Sequence, residues 1–158
     1  MVEMSSDQVL SFAKVRDVKS PTRANEYDAG IDMYIPNDWN NSDCYTLDVN
    51  ESVLIPSGIH FMIPHGYALI AFNKSGIATK MNLLVGACVI DETYQGEVHI
   101  DVHNVGNMKQ QLTPGMKIIQ LILLPINYAK LNEINSLNEL YLIKTTRGIG
   151  GFGSTGSN

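Results

Sequence analysis

Short β-type segments separated by turn-forming residues cover most of this sequence, and they constrain its fold more than any other feature. Apolar and polar side chains alternate at 45–49 and at 98–102, and 67–72 is a continuous apolar run. Such spacing is typical of strands that are buried on one or both faces. Proline and glycine turn sequences lie between these runs, at 56–58, 64–66 and 114–115. The pattern predicts an all-β fold, either an antiparallel sandwich or a barrel.

Helical signals are weak throughout the chain. No window keeps apolar residues at helical spacing over several turns, so long helices are not expected. Residues 75–80 have the pattern of one short helical turn, and 136–140 is ambiguous. The single tryptophan, Trp39, lies in the polar stretch 37–43, where we expect a partly buried loop anchor rather than a binding residue.

Length and composition indicate one globular domain. The 158 residues suffice for one core, 44% of them are hydrophobic, and no apolar run approaches the ~20 residues that span a bilayer. Residues 1–7 lack the basic start and apolar stretch of a signal peptide. Cys44 and Cys88 have neither zinc-site spacing nor disulfide density, and Cys88 is interpreted as a small core residue. We therefore expect a cytoplasmic protein with reduced cysteines and no membrane partner.

The charge balance argues against a nucleic-acid polymer as a ligand. Sixteen acidic and eleven basic side chains give a net charge of −5, and the basic residues form no stripe along any segment. A small polyanion can still bind if local donors or a divalent cation overcome the unfavourable overall field. The sequence thus argues against a polymer-binding surface but not against a nucleotide site.

The segment 148–156 is rich in glycine, with Phe152, Ser154 and Thr155 between the glycines. One interpretation is a disordered terminus, since such a chain has little apolar surface to bury. The other is a lid over a nucleotide, because backbone N–H groups and hydroxyls bind phosphate oxygens and an aromatic ring covers a base. The segment is not a Walker loop, which ends in Gly-Lys-Ser or Gly-Lys-Thr before a helix.

Five segments, in one order along the chain, resemble the motif set of the trimeric all-β dUTPases. They are AGIDM at 29–33, NKSG at 73–76, GACVIDETYQGE at 86–97, GMKIIQL at 115–121 and RGIGGFGSTG at 147–156. The resemblance implies an antiparallel, jelly-roll-like β-barrel as a single domain over 1–146. It also implies a flexible glycine-rich C-terminal arm over 147–158 that closes an active site, and a homotrimer with shared active sites.

The resemblance further implies an enzyme that hydrolyses dUTP to dUMP and pyrophosphate by attack of water on the α-phosphate. Such a reaction limits uracil incorporation into DNA and supplies dUMP for dTMP synthesis. Mg²⁺ is the expected cofactor, held by the triphosphate and water rather than directly by protein ligands. The expectation of no direct protein ligands agrees with the histidine spacing. His99 and His103 would lie about 13 Å apart on a strand, too far to share one ion.

Asp91 is the expected general base. A carboxylate between the apolar strand end at 88–90 and a turn can face a cleft while partly desolvated, although a turn-stabilising aspartate is the commoner use of this residue. The resemblance favours the catalytic role. It also implies that Tyr94 packs against the deoxyribose and excludes a 2′-hydroxyl, where the residues alone favour a half-buried sheet tyrosine. Uracil is expected to be read by the hairpin backbone at Gly86, Val89 and Ile90.

The phosphates are expected to contact the second and fourth segments. Ser75 offers a hydroxyl and Gly76 permits close backbone approach, which suits an anion cradle as well as a turn or helix cap. Lys74 stands where the family usually has arginine, and it keeps the charge but loses the bidentate fork. By resemblance, Asp32 orders this basic group and metal-bound water, and Gln120 adds a polar contact. Both also have structural alternatives, as a turn residue and as a partner for a strand neighbour.

The resemblance assigns the fifth segment to the lid. Arg147, Ser154 and Thr155 are the expected γ-phosphate clamp, and Phe152 is expected to stack over the uracil. Gly153 belongs to the same substrate-binding set.

Two alternatives of other kinds stay open. A dCTP deaminase shares the fold and the nucleotide class but hydrolyses the base instead of the anhydride, and the glycine-rich tail favours dUTPase over it. A nucleotide-sensing regulator would keep the site and act through a protein partner. The products formed from dUTP and dCTP discriminate among the three.

Overall fold

The computed structural model of this protein describes residues 9–41 and 43–150. They fall into two compact units, the first ending at Asn127 and the second beginning at Tyr128. The first unit contains every strand of the described residues and the first four of the five segments singled out above. The second unit contains a short helix and Arg147.

Strands account for most of the regular structure, as the sequence predicts. They are β1 (Ser11–Lys14), β2 (Ile31–Tyr34), β3 (Tyr45–Leu47), β4 (Ser52–Pro56), β5 (Ile59–Met62), β6 (Tyr67–Asn73), β7 (Leu83–Val85), β8 (Val89–Ile90), β9 (His99–Asn104), β10 (Gln110–Leu112) and β11 (Lys117–Pro125). The helical segments are a 3₁₀ turn (Trp39–Asn41), α1 (Ser75–Met81) and α2 (Leu137–Leu140). None of the helices in these described ranges is long and apolar enough to cross a membrane.

All strand pairs are antiparallel and form four sheets. A four-stranded sheet has the order β2-β11-β6-β8, and a three-stranded sheet has the order β4-β9-β7. The remaining sheets are the pairs β1-β5 and β3-β10. The prediction of an all-β antiparallel fold is confirmed. Within the described residues the pairings do not close into one continuous barrel.

The apolar faces of these strands meet in one core. On β9 the alternation predicted from sequence is present, because Ile100 and Val102 are buried whereas His99 is exposed. On β6 the predicted continuous run includes buried Leu69 and Ala71. Burial of these apolar side chains is the main favourable contribution to the stability of the fold.

The turn predictions are confirmed at the glycines that end each turn sequence. Gly58 has φ +74° and Gly66 has φ +84°, a backbone region that side chains with a Cβ rarely adopt. The predicted strand at 45–49 ends earlier, at Leu47. The Glu51 carboxylate accepts the Asp48 N–H at 2.7 Å, and Asn50 has φ +62°, so the chain turns before Val49 can pair.

The short helices agree with the sequence pattern and resolve its ambiguity. Helix α1 is one residue longer than predicted. It ends at Met81, because the next residue, Asn82, has φ +52°. Helix α2 exists because the Ser136 hydroxyl accepts the Glu139 N–H at 3.3 Å and caps it. Trp39 is half-buried with its ring centroid 5.1 Å from that of Tyr45, which confirms its role as a loop anchor.

Candidate functional site

A buried carboxylate that binds two lysines lies on an edge strand of the four-stranded sheet. Asp32, on β2, is only 4% exposed. Lys74, just before α1, binds Oδ1, and the Nζ atom of Lys117, on β11, lies 2.6 Å from Oδ2. Burial raises the pKa of the Asp32 carboxyl, but the hydrogen bonds and charges of Lys117 and Lys74 outweigh it and hold the pKa below its usual range. The same contact raises the pKa of Lys117.

Strand register explains how residues distant in sequence meet here. Strand β11 lies between β2 and β6, so Gln120 is opposite both Asp32 and Phe72. Strand β6 ends at Asn73, whose carbonyl accepts a hydrogen bond from Gln120 Nε2 at 2.9 Å, and Lys74 follows directly. The first, second and fourth segments are therefore brought together by two pairs of neighbouring strands.

A close contact with a glycine fixes the Gln120 side chain. A Cβ atom on Gly30 would lie 2.0 Å from Gln120 Oε1, which is far inside contact distance. Only a residue without a side chain leaves room for this amide beside β2. The glycine of the first segment is therefore explained by packing against the fourth.

The lysines surround a cleft of about 520 Å³ that we call the lysine cleft. Its walls are Lys74, Ser75, Gly76, Ile77, Lys80, Met81, Lys117 and Gln120. Three lysines line this cleft and two of them bind the one buried carboxylate, which makes the cleft locally cationic in a chain whose net charge is −5. Ser75 and Gln120 add uncharged hydrogen-bonding groups. This arrangement suits a ligand with several negative charges.

The third segment forms a different cavity of about 180 Å³, which we call the hairpin cavity. Its walls are Ala87, Cys88, Val89, Ile90, Asp91, Tyr94, Val98 and His99. Strand β8 pairs with β6, and the Tyr94 N–H donates to the Asp91 carbonyl at 3.1 Å, so the chain turns sharply after β8. Asp91 is exposed there, available to water.

Tyr94 is held in one orientation at this cavity. Its hydroxyl donates to the Glu97 carbonyl at 2.9 Å. The ring lies over Gly96, where a Cβ atom would approach the tyrosine hydroxyl to 2.4 Å. The side of the ring that is not packed against the backbone remains accessible, since Tyr94 is 45% exposed. A fixed aromatic ring at a cavity wall can exclude ligand atoms by shape.

The start of the third segment is bound to β9. The Gly86 N–H donates to the Asp101 carbonyl at 3.0 Å, and the Ala87 N–H donates to the Asp101 carboxylate at 2.9 Å. These bonds orient the backbone that precedes Val89. The segment 86–94, where the sequence predicts a hairpin, contains only the strand β8, which pairs with β6 instead of with a second strand of the segment. The backbone groups at Gly86, Val89 and Ile90, predicted to bind uracil, therefore belong to a segment that is braced by β9 and β6.

The structure brings the expected site residues together in two groups rather than one. Lys74, Ser75, Gly76 and Gln120 line the lysine cleft with Asp32 bound behind it, and Val89, Ile90, Asp91 and Tyr94 line the hairpin cavity. The two walls share no residue. Arg147 lies in the second unit, where its Nε donates to the Gly150 carbonyl at 3.0 Å. Phe152, Gly153, Ser154 and Thr155 lie outside the described residues.

Sequence reasoning missed two lysines and misplaced one cysteine. Lys117 lies inside the fourth segment, and Lys80 lies six residues after Lys74, but neither was singled out for a role. Cys88 is not a core residue, because it is exposed and lines the hairpin cavity. Strand β8 is an edge strand with a single partner, so only part of the apolar run at 88–90 is covered.

Histidines and carboxylates do not assemble a metal cage in the described part of the chain. Residues 9–41 and 43–150 contain no group of three or more His, Cys, Asp or Glu side chains that could hold an ion. His99 and His103 lie on the same strand, β9. His103 instead lies 3.3 Å from the Asp101 carboxylate.

Fold and clefts together define an antiparallel β protein with a cationic cleft. Residues 16–156 match the dUTPase family, and the chain belongs to that family. The deoxyuridine 5′-triphosphate nucleotidohydrolase of Rattus norvegicus is 38% identical over 154 residues, which are 96% of this chain and 69% of the relative. The mitochondrial Homo sapiens enzyme of that name is 37% identical over 94% of this chain, which spans 55% of its length. The fowlpox virus protein of that name is 35% identical, with 93% of this chain and 97% of the relative covered.

Solved structures agree on the fold. A mutant dUTPase of Staphylococcus bacteriophage 80alpha with dUpNHpp has a TM-score of 0.76 at 21% identity, over 95% of this chain and 99% of that one. The dUTPase from phage phi11 of S. aureus has a TM-score of 0.72 at 20% identity, over 82% of this chain and 97% of that one.

Proposed function

We propose that this chain hydrolyses dUTP to dUMP and pyrophosphate, with water attacking the α-phosphate. The observation that carries the proposal is the lysine cleft, in which two ammonium groups are fixed on buried Asp32 beside Ser75 and Gln120. Membership of the dUTPase family, and relatives named deoxyuridine 5′-triphosphate nucleotidohydrolase, support the choice of nucleotide. In a cell this reaction limits uracil incorporation into DNA and supplies dUMP for dTMP synthesis.

The lysine cleft holds the triphosphate in this proposal. Lys74 and Lys117 offset negative charge on the phosphate oxygens, and Asp32 keeps both ammonium groups at fixed positions. Ser75 donates its hydroxyl, while Gly76 allows the backbone to approach closely. Gln120 contributes a further polar contact. Positioned charge of this kind is the main way in which enzymes accelerate phosphoryl transfer.

The hairpin cavity holds the nucleoside and the attacking water. Asp91 orients the water and accepts its proton, because it is an exposed carboxylate at the cavity wall. The Tyr94 ring packs against the deoxyribose and leaves no space for a 2′-hydroxyl. The backbone at Gly86, Val89 and Ile90 reads the edge of uracil.

Mg²⁺ fits this donor set as a substrate-bound ion. Mg²⁺ keeps several waters and commonly binds substrate phosphates with few protein ligands, and the described residues offer no cage that would require more. When bound, the ion offsets charge on the phosphate oxygens. Asp32 would order metal-bound water beside the cleft, with Lys74 and Lys117 already on its two oxygens.

A homotrimer with shared active sites completes the proposal. The lysine cleft and the hairpin cavity share no lining residue, which is expected if one subunit supplies the first and a second subunit supplies the other. Exposed apolar side chains on the first unit, such as Leu54 and Met62, suit subunit contacts. An arm over 147–158 from the remaining subunit would add Arg147, Phe152, Gly153, Ser154 and Thr155, with 1–146 as the body.

Two further parts of the proposal concern the cellular compartment of the enzyme and the polymers that it does not bind. We place it in the cytoplasm, since Cys44 and Cys88 do not form a disulfide with each other. We expect no nucleic-acid polymer among its ligands, because the net charge is −5.

Product analysis after incubation with dUTP or dCTP, each with Mg²⁺, tests the proposal. We expect dUMP and pyrophosphate from dUTP and no change in dCTP. Ammonia release from dCTP would replace the proposal with a deaminase. Tight binding of dUTP without turnover would replace it with a nucleotide-sensing regulator that acts through a protein partner.

A further inference from the structure

Three segments that are distant in sequence meet at Glu97, whose carbonyl accepts a hydrogen bond from the Tyr94 hydroxyl. Arg16 follows β1, Gly58 lies in the turn between β4 and β5, and Glu97 precedes β9. Arg16 Nε donates to Glu97 Oε1 at 2.7 Å, and its Nη2 donates to Oε2 at 3.2 Å. The Gly58 N–H also donates to Oε1, at 2.7 Å. We call Arg16, Gly58 and Glu97 the Glu97 junction.

The Glu97 junction is tightly packed and strongly bonded. The Glu97 side chain is only 16% exposed, and paired contacts between arginine and carboxylate are among the strongest hydrogen bonds in proteins. The hydrogen bond from Arg16 lowers the pKa of the Glu97 carboxyl, so it is ionised at neutral pH. A Cβ atom on Gly58 would lie 2.8 Å from the Arg16 Cβ, and the Gly58 carbonyl accepts the Val15 N–H at 2.8 Å.

The Glu97 junction is connected to Tyr94 through the backbone carbonyl of Glu97. The Tyr94 hydroxyl binds the carbonyl of Glu97, the residue whose side chain the junction fixes. On the far side, the Val98 N–H donates to the Ile59 carbonyl at 2.9 Å, and the Ser57 N–H donates to the Val98 carbonyl at 3.0 Å. The peptide unit that carries this oxygen is therefore held through the Glu97 side chain by the segment after β1 and the β4–β5 turn, and through Val98 by Ser57 and Ile59. His99 Nδ1 also lies 2.9 Å from the oxygen itself.

We propose that Arg16 and Glu97 are positioning residues for sugar selectivity, because the Glu97 junction fixes the carbonyl that holds the Tyr94 ring at the hairpin cavity. The inference rests on the proposed function, in which this ring excludes a 2′-hydroxyl. Neither side chain lines either cavity, and Arg16 precedes all five segments that resemble the family motifs. A ring displaced by about 1 Å is enough to change which ligands fit in a close contact.

Substitutions at Arg16 test the inference through substrate preference. In Arg16→Gln we expect the ratio of kcat/KM for dUTP to that for UTP to fall by about tenfold, mainly because UTP is used better. Arg16→Lys keeps the charge without the fork, so its ratio should be intermediate. Arg23→Gln is the matched control, because Arg23 binds the Asp28 carbonyl at 2.9 Å and takes no part in the junction. Its ratio should equal that of the parent.

A double-mutant cycle separates this role from a merely structural one. Tyr94→Phe removes only the hydroxyl that binds the Glu97 carbonyl. If Arg16 acts through that bond, Arg16→Gln should change the dUTP-to-UTP ratio little further in the Tyr94→Phe background. Independent, additive effects would overturn the inference. Thermal unfolding is measured for every variant, and Glu97→Gln replaces Arg16→Gln if the latter does not fold.

The possible outcomes distinguish the inference from the proposed function. A parent protein that prefers dUTP strongly, with the preference intact in folded Arg16→Gln and Glu97→Gln, would overturn the inference alone. A parent that hydrolyses dUTP and UTP equally would overturn the inference and the role of Tyr94. A parent that does not hydrolyse dUTP would overturn the proposed function and the inference together.

Discussion

Lys117 and Gln120 face the same cleft although they are three positions apart on one strand. In a regular strand, residues separated by three positions point to opposite faces. A register shift between Lys117 and Ile119 in the pairing of β11 with β2 removes this alternation, and Ile118 and Ile119 are both buried as a result. The bulge therefore turns Lys117 toward the lysine cleft, whereas in a regular strand Lys117 and Gln120 would point to opposite faces.

Lys117→Met should weaken substrate binding more than it weakens the fold. The variant loses one cation from the lysine cleft and keeps most of the aliphatic stem, so we expect KM for dUTP to rise by roughly tenfold. Lys109→Met is the control, because Lys109 forms an exposed ion pair with Asp48 at 2.8 Å. Initial rates over a range of dUTP concentrations measure the effect. Equal KM values for the two variants would rule out a phosphate role for Lys117.

Gly30→Ala should damage the site through Gln120. The added Cβ would overlap the amide oxygen of Gln120, so this side chain must leave its bond to the Asn73 carbonyl or the strands must separate. We expect activity to fall by an order of magnitude or more, with a lower thermal midpoint. Gly76→Ala, which adds a Cβ in open space, is the control for thermal stability alone, because Gly76 lines the lysine cleft. A Gly30→Ala protein with parental stability and activity would contradict the close packing.

Stability should fall on acidification because of Asp32 and Glu97. The folded pKa of each carboxyl lies below its ordinary value, 3.8 for Asp32 and 4.5 for Glu97. Their contribution is therefore fully present above those ordinary values and is lost as pH falls through the lowered folded values. Urea unfolding from pH 7 to pH 3 should show this loss, with a shallower slope in Glu97→Gln. If the free energy of unfolding changes with pH by the same amount in the parent and in Glu97→Gln, Glu97 does not contribute to the loss of stability.

Asp91→Asn should bind nucleotide and lose turnover. The amide keeps the shape of the side chain but cannot accept the proton of the attacking water, so kcat should fall by at least about 100-fold. Asp48→Asn serves as the control, because Asp48 is an exposed carboxylate that lines neither cavity. Single-turnover rates and calorimetric binding of a non-hydrolysable dUTP analogue provide the two measurements. Turnover within tenfold of the parent would remove Asp91 as the base.

Mixed refolding tests the shared site. Asp91→Asn and a variant lacking residues 148–158 should each be inactive, yet a trimer containing both should have one site with an intact Asp91 and an intact arm. Random mixing makes about three quarters of trimers mixed, so roughly a quarter of parental activity is the ceiling. Each variant refolded alone is the control. Inactive mixed trimers, or a monomeric parent in sedimentation, would refute the shared-site proposal.

Strand positions were predictable because apolar alternation and turn residues act locally. The runs at 67–72 and 98–102 became β6 and β9, since their own side chains decide which face is buried. Val49 failed to extend β3 because Glu51 binds the Asp48 N–H, a contact between side chain and backbone that alternation does not encode.

The candidate site was only partly predictable. Lys74, Ser75 and Gln120 were found through family motifs, which record residue types in order. Lys117 was missed because its direction depends on a bulge, and a bulge is a property of the pairing between strands. Cys88 was assigned to the core because its apolar neighbours suggest burial, whereas β8 is an edge strand that leaves it exposed.

One carboxylate bound to two lysines gives the cleft an internal counter-ion. Any incoming anion must compete with Asp32 for Lys74 and Lys117, so a ligand with a single negative charge gains little from replacing contacts that already exist. A ligand with several adjacent charges gains from all three lysines at once, including Lys80. Asp32 thereby favours ligands with several adjacent negative charges over an ion such as chloride, which has only one.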